Sequence, residues 1–376
     1  MNSIEKTIII RMLFVLLAVA LTAGVIALVT VLNTDASYPV PLVPNDTAQT
    51  ENEDLPLGVS DMPEDAYLPV RLTFAGSCTT GSMLGSDSYG TFNDTLNTEG
   101  AAYFLERLNG LFRADTLTLT GCDVVLSDGD LTAAERDTAE WYRGPSSAAR
   151  IFADGGVDAV SLHSYHPWDY GAAGYDDTKA AVENAGLLWG DHGKAIYLEQ
   201  DGIAAAVYCR YVDDESDAES VRAWIGTAVA ANDYVAVYLT TPETGSYLPD
   251  DSRRAMFRSF AEAGADLVLG TDTGRIQPCE TWGDSMIAYS LGALLDGKTK
   301  YPEPYTLMLG AELQVVDGEL RNVEYTLTPC RTYDDEHPWR PVPLNDPEEA
   351  AAVTAFLPGS HWRGFPLRSA WSFGWQ

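Results

Sequence analysis

The first apolar feature of the chain is a block, not a period. Met12–Leu32 reads MLFVLLAVALTAGVIALVTVL, 21 residues without a charge, where about 20 suffice to cross a hydrocarbon core as a helix. The run is longer than the apolar segment of a cleaved signal peptide. Lys6 and Arg11 precede it, whereas Asp35, Asp46, Glu51, Glu53 and Asp54 follow it before the next basic residue, Arg71. The positive-inside rule then places residues 1–11 in the cytoplasm. Residues 12–32 read as a signal anchor, single-pass in the cell membrane, with the C-terminal domain extracytoplasmic. Residues 33–68 are rich in Pro and acidic side chains and show no apolar period, so they read as a self-repelling tether.

Beyond the tether, periods of two and of 3.6 alternate. Val70–Ala75, Leu117–Leu119, Asp158–Leu162, Val235–Leu239 and Asp266–Leu269 read as strands. Helical spacing predicts helices over Ala101–Phe112, Ala148–Asp154, Gly174–Ala185, Ser220–Ala231, Arg253–Ala263 and Glu348–Phe356. Gln200-Asp201-Gly202 and Asp317-Gly318 mark hairpins, the second joining Tyr305–Val316 to Glu319–Leu327. This succession predicts an α/β domain over 69–330 with a largely parallel sheet. Residues 331–376 form an aromatic-rich extension without a core of its own.

Composition narrows the partners. With 23 basic and 55 acidic residues the formal charge is −32. Such a chain disfavours nucleic acid, which gains from Lys and Arg displacing counterions, and it disfavours anionic headgroups. No phosphate-binding glycine loop, dinucleotide fingerprint or zinc-finger spacing appears. Asp213-Asp214-Glu215 with Asp217 reads as a calcium loop or as a solvated acidic turn. The terminal Trp362, Phe365, Trp371, Phe373 and Trp375 read as a sugar-stacking surface or as side chains packed back on the domain.

In parallel α/β sheets chemistry gathers at carboxyl ends of strands, and here the chain resembles a known family. Ser161–Gly171, SLHSYHPWDYG, is similar to the SLANNHALDYG signature of the CapA (poly-γ-glutamate capsule synthesis) proteins. FAGS at Phe74–Ser77, RADTLTLTGCD at Arg113–Asp123, AGADLVLGTDTGRIQPCE at Ala263–Glu280 and MIAYSLGALLDG at Met286–Gly297 follow in the family's order. The resemblance covers roughly 70–330. It implies a metallophosphatase-like α-β-β-α sandwich behind a membrane anchor. It also implies a role in assembling capsule or another envelope polymer, with partner proteins of an envelope polymer synthase.

The departures bear on chemistry. Where the family carries metal ligands, this chain has Ser77, Thr120-Gly121-Cys122, Ser164-Tyr165-His166, Thr240-Thr241-Pro242, Asp272-Thr273-Gly274 and Ala293. A two-metal centre needs clustered carboxylate, Asn and His ligands. Only His166 remains, with Asp272 as a replacement oxygen ligand. The expectation is a non-catalytic, pseudoenzyme-like protein with no cofactor. The alternative is a hydrolase of phosphoester or amide bonds with a rebuilt site, taking Mn, Fe or Zn if it takes a metal. For that alternative the candidates are His166 and Asp169, an acid–base pair or merely a strand cap and helix start, and Ser77, a nucleophile or a remnant of a lost ligand. His163 lies near the same loop, and Arg275 is a substrate ligand or pairs with surface acid.

The resemblance also sets Cys78 and Cys122 at neighbouring strand ends. It implies a Cys78–Cys122 disulfide holding loops that metal would otherwise hold, with Cys279–Cys330 as a second bridge and Cys209 a buried free thiol. Poly-γ-glutamate is a polyanion, so direct binding to this acidic chain is doubtful without cations or a basic groove. Arg253, Arg254, Arg258 and Arg275 are the candidates for such a groove.

Overall fold

Alternating apolar positions dictate the layers. In the first strand Val70, Leu72 and Phe74 are buried while Arg71 and Thr73 are half-buried, the period of two expected when one face meets a core. The computed structural model describes residues 68–86, 90–135, 140–242, 245–271, 274–299, 302–333, 337–356 and 370–374, all within the unit Pro56–Gln376. The segment expected to be an anchor, 12–32, the expected tether up to residue 67, and Asp272, His361, Trp362, Phe365 and Trp375 lie outside the described residues. Among the described residues no helix is long and apolar enough to cross a membrane.

The elements begin with β1 (Leu68–Thr79), β2 (Ser82–Met83), α1 (Phe92–Glu99), α2 (Ala102–Leu105), α3 (Asn109–Phe112), β3 (Leu117–Cys122), β4 (Val125–Leu126) and β5 (Tyr142–Gly144). Next are α4 (Ala149–Gly155), β6 (Ala159–Ser161), α5 (Gly171–Asn184), β7 (Leu188–Gly190), β8 (Ile196–Gln200), β9 (Ile203–Tyr211), α6 (Glu215–Ala228), β10 (Tyr234–Thr240) and α7 (Asp251–Glu262). The chain continues through β11 (Leu267–Gly270), β12 (Ile276–Trp282), β13 (Ser285–Leu291), β14 (Ala293–Asp296), β15 (Tyr305–Val316), β16 (Glu319–Arg331), β17 (Val342–Pro343), α8 (Pro347–Phe356) and β18 (Ala370–Gly374).

These strands make a mixed α/β fold of three sheets. The nine-stranded sheet runs β17-β16-β15-β1-β3-β6-β7, with β14 also on β1 and β18 on β16. The six-stranded sheet runs β12-β13-β11-β10-β9-β8, and β2-β5-β4 form a small third sheet. The nine-stranded sheet is parallel from β1 through β3 and β6 to its β7 edge, with β14 also parallel to β1, and the six-stranded sheet is parallel at its centre, through β13-β11-β10-β9. The terminal hairpin adds antiparallel to β1, and β12 and β8 close the second sheet antiparallel. The expectation of a largely parallel sheet therefore holds for these runs and not for the whole of either sheet.

One apolar cluster joins Val70, Leu72, Phe74, Leu117 and Leu309 to Tyr234, Ala236, Tyr238, Leu267 and Met286, so the two large sheets pack face to face. The next residues along β10, Val235, Val237 and Leu239, point the other way, onto Val221 and Ile225 of α6 and Phe257 and Phe260 of α7. α1–α5 cover the far side of the nine-stranded sheet. Strands sandwiched on both faces need nearly continuous apolar sequence, and β10, YVAVYLT, is buried throughout. Tyr238 donates to Ala75 O at 2.8 Å and the Tyr234 and Tyr325 hydroxyls meet at 3.0 Å, joining the sheets through buried hydrogen bonds.

The described residues after 330 join the domain's sheet and core. β17 and β18 lengthen the nine-stranded sheet beside β16, and Trp339 is buried against Phe92.

Candidate active site

The carboxyl ends of the central strands converge, and most of that space is filled by protein. Ser77 on β1 lies in register with Gly121 on β3 and Ala293 on β14. A Cβ on Gly76 would stand 2.0 Å from Gly292 O, so backbone meets backbone there. Tyr238 reaches over from the other sheet, its hydroxyl 3.3 Å from where a Gly121 Cβ would stand. Ser77 is buried, and it is not among the residues lining the cavity that holds His166.

That cavity measures about 280 Å³ and is lined by Asp123, Glu140, Tyr165, His166, Tyr211, Thr241, Pro242 and Lys298. A single helical turn, His166–Trp168 with Pro167 at its start, brings His166 and Asp169 to the same side. His166 Nδ1 lies 2.9 Å from Asp169 Oδ2, and both side chains are buried. The same Asp169 oxygen accepts from Tyr142 N at 2.7 Å, and Asp169 N donates to His166 O. One carboxylate oxygen thus serves both the imidazole and the first residue of β5. A carboxylate on Nδ1 orients the ring and leaves Nε2 for other partners, which is the geometry of a positioned acid–base imidazole.

Asp123 organises the rest. Its Oδ1 accepts from Ser164 Oγ at 2.7 Å and from His166 N at 2.8 Å, and its own N donates to Cys78 O. Thr241 is 3% exposed, lines the same cavity, and its hydroxyl has no hydrogen-bond partner among the described residues. Asp123, Glu140, Thr241 and Lys298 come from separate loops; Thr241 stands in Thr240-Thr241-Pro242, where the resembled family carries ligands, and no local spacing marked Glu140 or Lys298. Only the GCD that ends the second motif hinted at Asp123.

The remaining candidates sit elsewhere. His163 turns away and accepts from Tyr211 N at 2.6 Å. Burial, then the nearby Arg210 and His192, push its pKa down to about 4, so the ring is neutral. Arg275 pairs with Glu303 and stacks over Tyr247. Arg258 grips Glu280 with two 2.8 Å hydrogen bonds, Arg254 binds Asp251 and Pro249 O, and Arg253 is buried with a bond to Pro242 O. The four arginines are engaged within the domain and do not form the anticipated groove. Asp214 caps α6 and Asp217 pairs with Arg210, so this acidic run is a helix start.

Both expected disulfides are corrected: all five cysteines are free and buried. Cys78 and Cys122 are register neighbours on β1 and β3, yet Cys78 Sγ turns to Thr120 Oγ1 at 3.4 Å. Cys279 faces the cluster between the sheets, whereas Cys330 faces the cluster under the outer helices. Those two lie in separate cores. Burial pushes the Cys78, Cys279 and Cys330 thiols up to about 12 and raises Cys122 well above its ordinary value, so none is a reactive thiolate. Cys209 is the buried free thiol that its apolar strand predicts.

Among the described residues, which leave out Asp272, the donors do not fit a dinuclear metal centre. Among the described residues no three of His, Cys, Asp and Glu come together in a way that would hold an ion. Ser77, Thr120, Gly121, Thr240 and Ala293 supply none of those donors, and His166 Nδ1 is committed to Asp169.

Solved structures and sequence families were both compared with the chain. A hypothetical protein from Thermus thermophilus aligns at TM-score 0.39 and 14% identity, covering 73% of this chain and 98% of its own. TT1561, also of Thermus thermophilus, aligns at TM-score 0.37 and 10% identity, covering 64% and 94%. No curated protein matches the sequence. A family model does match, over a stretch that includes Thr240–Pro242 and Lys298 and falls short of half the chain. Residues 189–298 are similar to the family model of the bacterial capsule synthesis protein PGA_cap, in keeping with the capsule-synthesis motifs that the sequence resembles.

Proposed function

We propose that this protein is a membrane-anchored, extracytoplasmic member of a capsule-synthesis apparatus. In this reading it has a metallophosphatase-type α-β-β-α fold, and it acts without catalysis in assembling or retaining capsule of poly-γ-glutamate type or another envelope polymer. The observation that carries the reading is the match of residues 189–298 to the capsule synthesis family. The replaced donors around Ser77 and Gly121 support the absence of metal-dependent turnover. The uncharged 21-residue run 12–32 supports the anchor. Engaged arginines and a charge of −32 favour partner proteins of a polymer synthase over direct grip on a polyanion.

Deleting the gene and returning variants tests this. Loss of surface-held polymer in the deletion, restored by wild type, by His166→Ala and by Asp169→Asn at equal protein levels, is the expected result. A second reading rests on the His166–Asp169 pair in its cavity: a hydrolase of phosphoester or amide bonds with a rebuilt site. Stoichiometric Mn, Fe or Zn in the purified full-length chain, with phosphodiesterase turnover lost in His166→Ala, would establish that reading instead.

A further inference from the structure

The six-stranded sheet ends in β8, and its pairing with β9 fixes which way the backbone groups of β8 point. Asp201-Gly202 is a two-residue turn, so Gln200 and Ile203, which it joins, exchange both hydrogen bonds, and bonded pairs recur at every second residue. Leu198 and Ile196 therefore bond to β9, while the N–H and C=O groups of Tyr197 and Glu199 point outward. Ala204, opposite Glu199, agrees with this phase: its N donates to Asp233 Oδ2 and its O accepts from Asp233 N, away from β8. The same alternation turns Ala195 outward. Among the described residues nothing bonds the outward groups of Ala195, Tyr197 and Glu199.

Edge strands are commonly guarded by Lys, Pro or a bulge. β8, IYLEQ, has none of these, and its register runs unbroken. Tyr197 is 62% exposed, more than any other large apolar side chain among the described residues. On the other face of the strand Ile196 is buried in the cluster between the two large sheets, and Leu198 packs against it. The edge of the nine-stranded sheet lies alongside. β7 leads into β8 through the Asp191–Lys194 turn, a Cβ on Gly190 would stand 3.2 Å from Ile196, and Leu188 on β7 is 50% exposed.

We infer that β8 pairs antiparallel with β8 of a second copy of this chain, about a two-fold axis at Tyr197. Opposed residues share a face, so the axis must pass through a residue, not between two, if the apolar faces of both strands are to match. An axis at Tyr197 sets Tyr197 against itself and Ala195 against Glu199 of the second copy, and every outward group of the three residues then meets a partner. It also sets Ile196 against Leu198 of the second copy, which carries the apolar cluster across the axis. The neighbouring registers are poorer. An axis at Ile196 sets Glu199 against Gly193, whose N–H already donates to Asp191 Oδ1. An axis at Leu198 brings the two Glu199 side chains to a diagonal about 7 Å apart, whereas four residues of offset at Tyr197 hold them about 14 Å apart. Such a contact is isologous and closes as a dimer. It does not depend on the proposed role in capsule synthesis.

Light scattering from the purified full-length protein in detergent micelles tests it. The protein mass should be twice that of one chain. The dimer fraction should rise between about 0.05 and about 0.5 M salt, because screening relieves the repulsion between two chains of −32 each. Tyr197→Lys sets two ammonium groups at the axis and should halve the mass, with an unchanged circular dichroism spectrum because this side chain is exposed. Tyr197→Cys should cross-link to a second copy through a short bismaleimide, whereas wild type, whose five cysteines are buried, should not. A single-chain mass at every salt concentration overturns the inference and leaves the edge to a different protein or to another segment of this chain. A dimer that Tyr197→Lys leaves intact overturns it as well, as does a Tyr197→Cys variant that fails to cross-link.

Discussion

Asp169 Oδ2 holds both the His166 ring and Tyr142 N, with the side chain fully buried. Asp169→Ala strands a buried N–H and a buried imidazole together, and each lost partner costs about 1–3 kcal/mol. Asp169→Asn keeps an acceptor for one of them. Urea unfolding should therefore rank wild type above Asp169→Asn, and Asp169→Ala lowest; equal midpoints for the two variants would contradict the assigned hydrogen bonds. Two other residues oppose each other in acid. The pKa of His163 is pushed down to about 4, mainly by burial, so the unfolded chain binds more protons between pH 6.5 and 4 and stability is lost on acidification. Asp266 is pushed up to about 6, again mainly by burial, so the folded chain binds more protons between about pH 6 and 4 and stability is gained on acidification. Each contributes at most about 3 kcal/mol across its window. Relative to wild type, His163→Asn should become more stable as pH falls from about 6.5 to 4, while Asp266→Asn should become less stable between about 6 and 4. Curves parallel to wild type across those windows would remove the assigned causes.

Elements show what the sequence made legible. The two Asp-Gly hairpins fall where they were expected, because Asp201 (φ 53°) with Gly202 (φ 89°), and Asp317 (φ 55°) with Gly318 (φ 79°), supply the positive-φ pair such turns need. Structure adds what spacing does not carry: the two tips touch. A Cβ on Gly202 would stand 3.1 Å from the Gly318 Cα, whereas one on Gly318 meets nothing within 4 Å. Gly318→Ala should cost about 1–2 kcal/mol from left-handed strain alone, and Gly202→Ala measurably more, by thermal or urea unfolding. The predicted helix 101–112 is broken into α2 and α3 around Arg107 and Leu108, because burying Phe104, Leu105, Leu108 and Phe112 mattered more than continuous helix. β12 and β13 are legible only as parts of family motifs and not as strands, and β12 carries Pro278, a residue unfavourable in a strand interior. It is tolerated because β12 is the sheet edge. The small third sheet was illegible, as its strands are two or three residues long and take their pairing from distant chain. The site divides likewise. His166 and Asp169 are three residues apart and could be read, whereas Asp123, Thr241 and Lys298 meet only through the fold.

At the scale of the whole molecule, the charge of −32 sets how the protein would meet the polyanion of its proposed role. The four arginines that might have made a basic groove are engaged by Glu303, Glu280, Asp251 and the Pro242 carbonyl. Association with poly-γ-glutamate is therefore opposed by like charge, with no described basic surface to offset it. Such repulsion acts over about 10 Å at 0.1 M salt and lengthens as salt is withdrawn. Direct polymer capture, measured by co-sedimentation with the full-length protein, should be absent at low salt. It should appear only when divalent cations are supplied to bridge carboxylates, and it should vanish on chelation. Binding strongest at low salt without divalent ions would require a basic surface outside the described residues. That result would move the proposed role from recruiting partner proteins to holding the polymer itself.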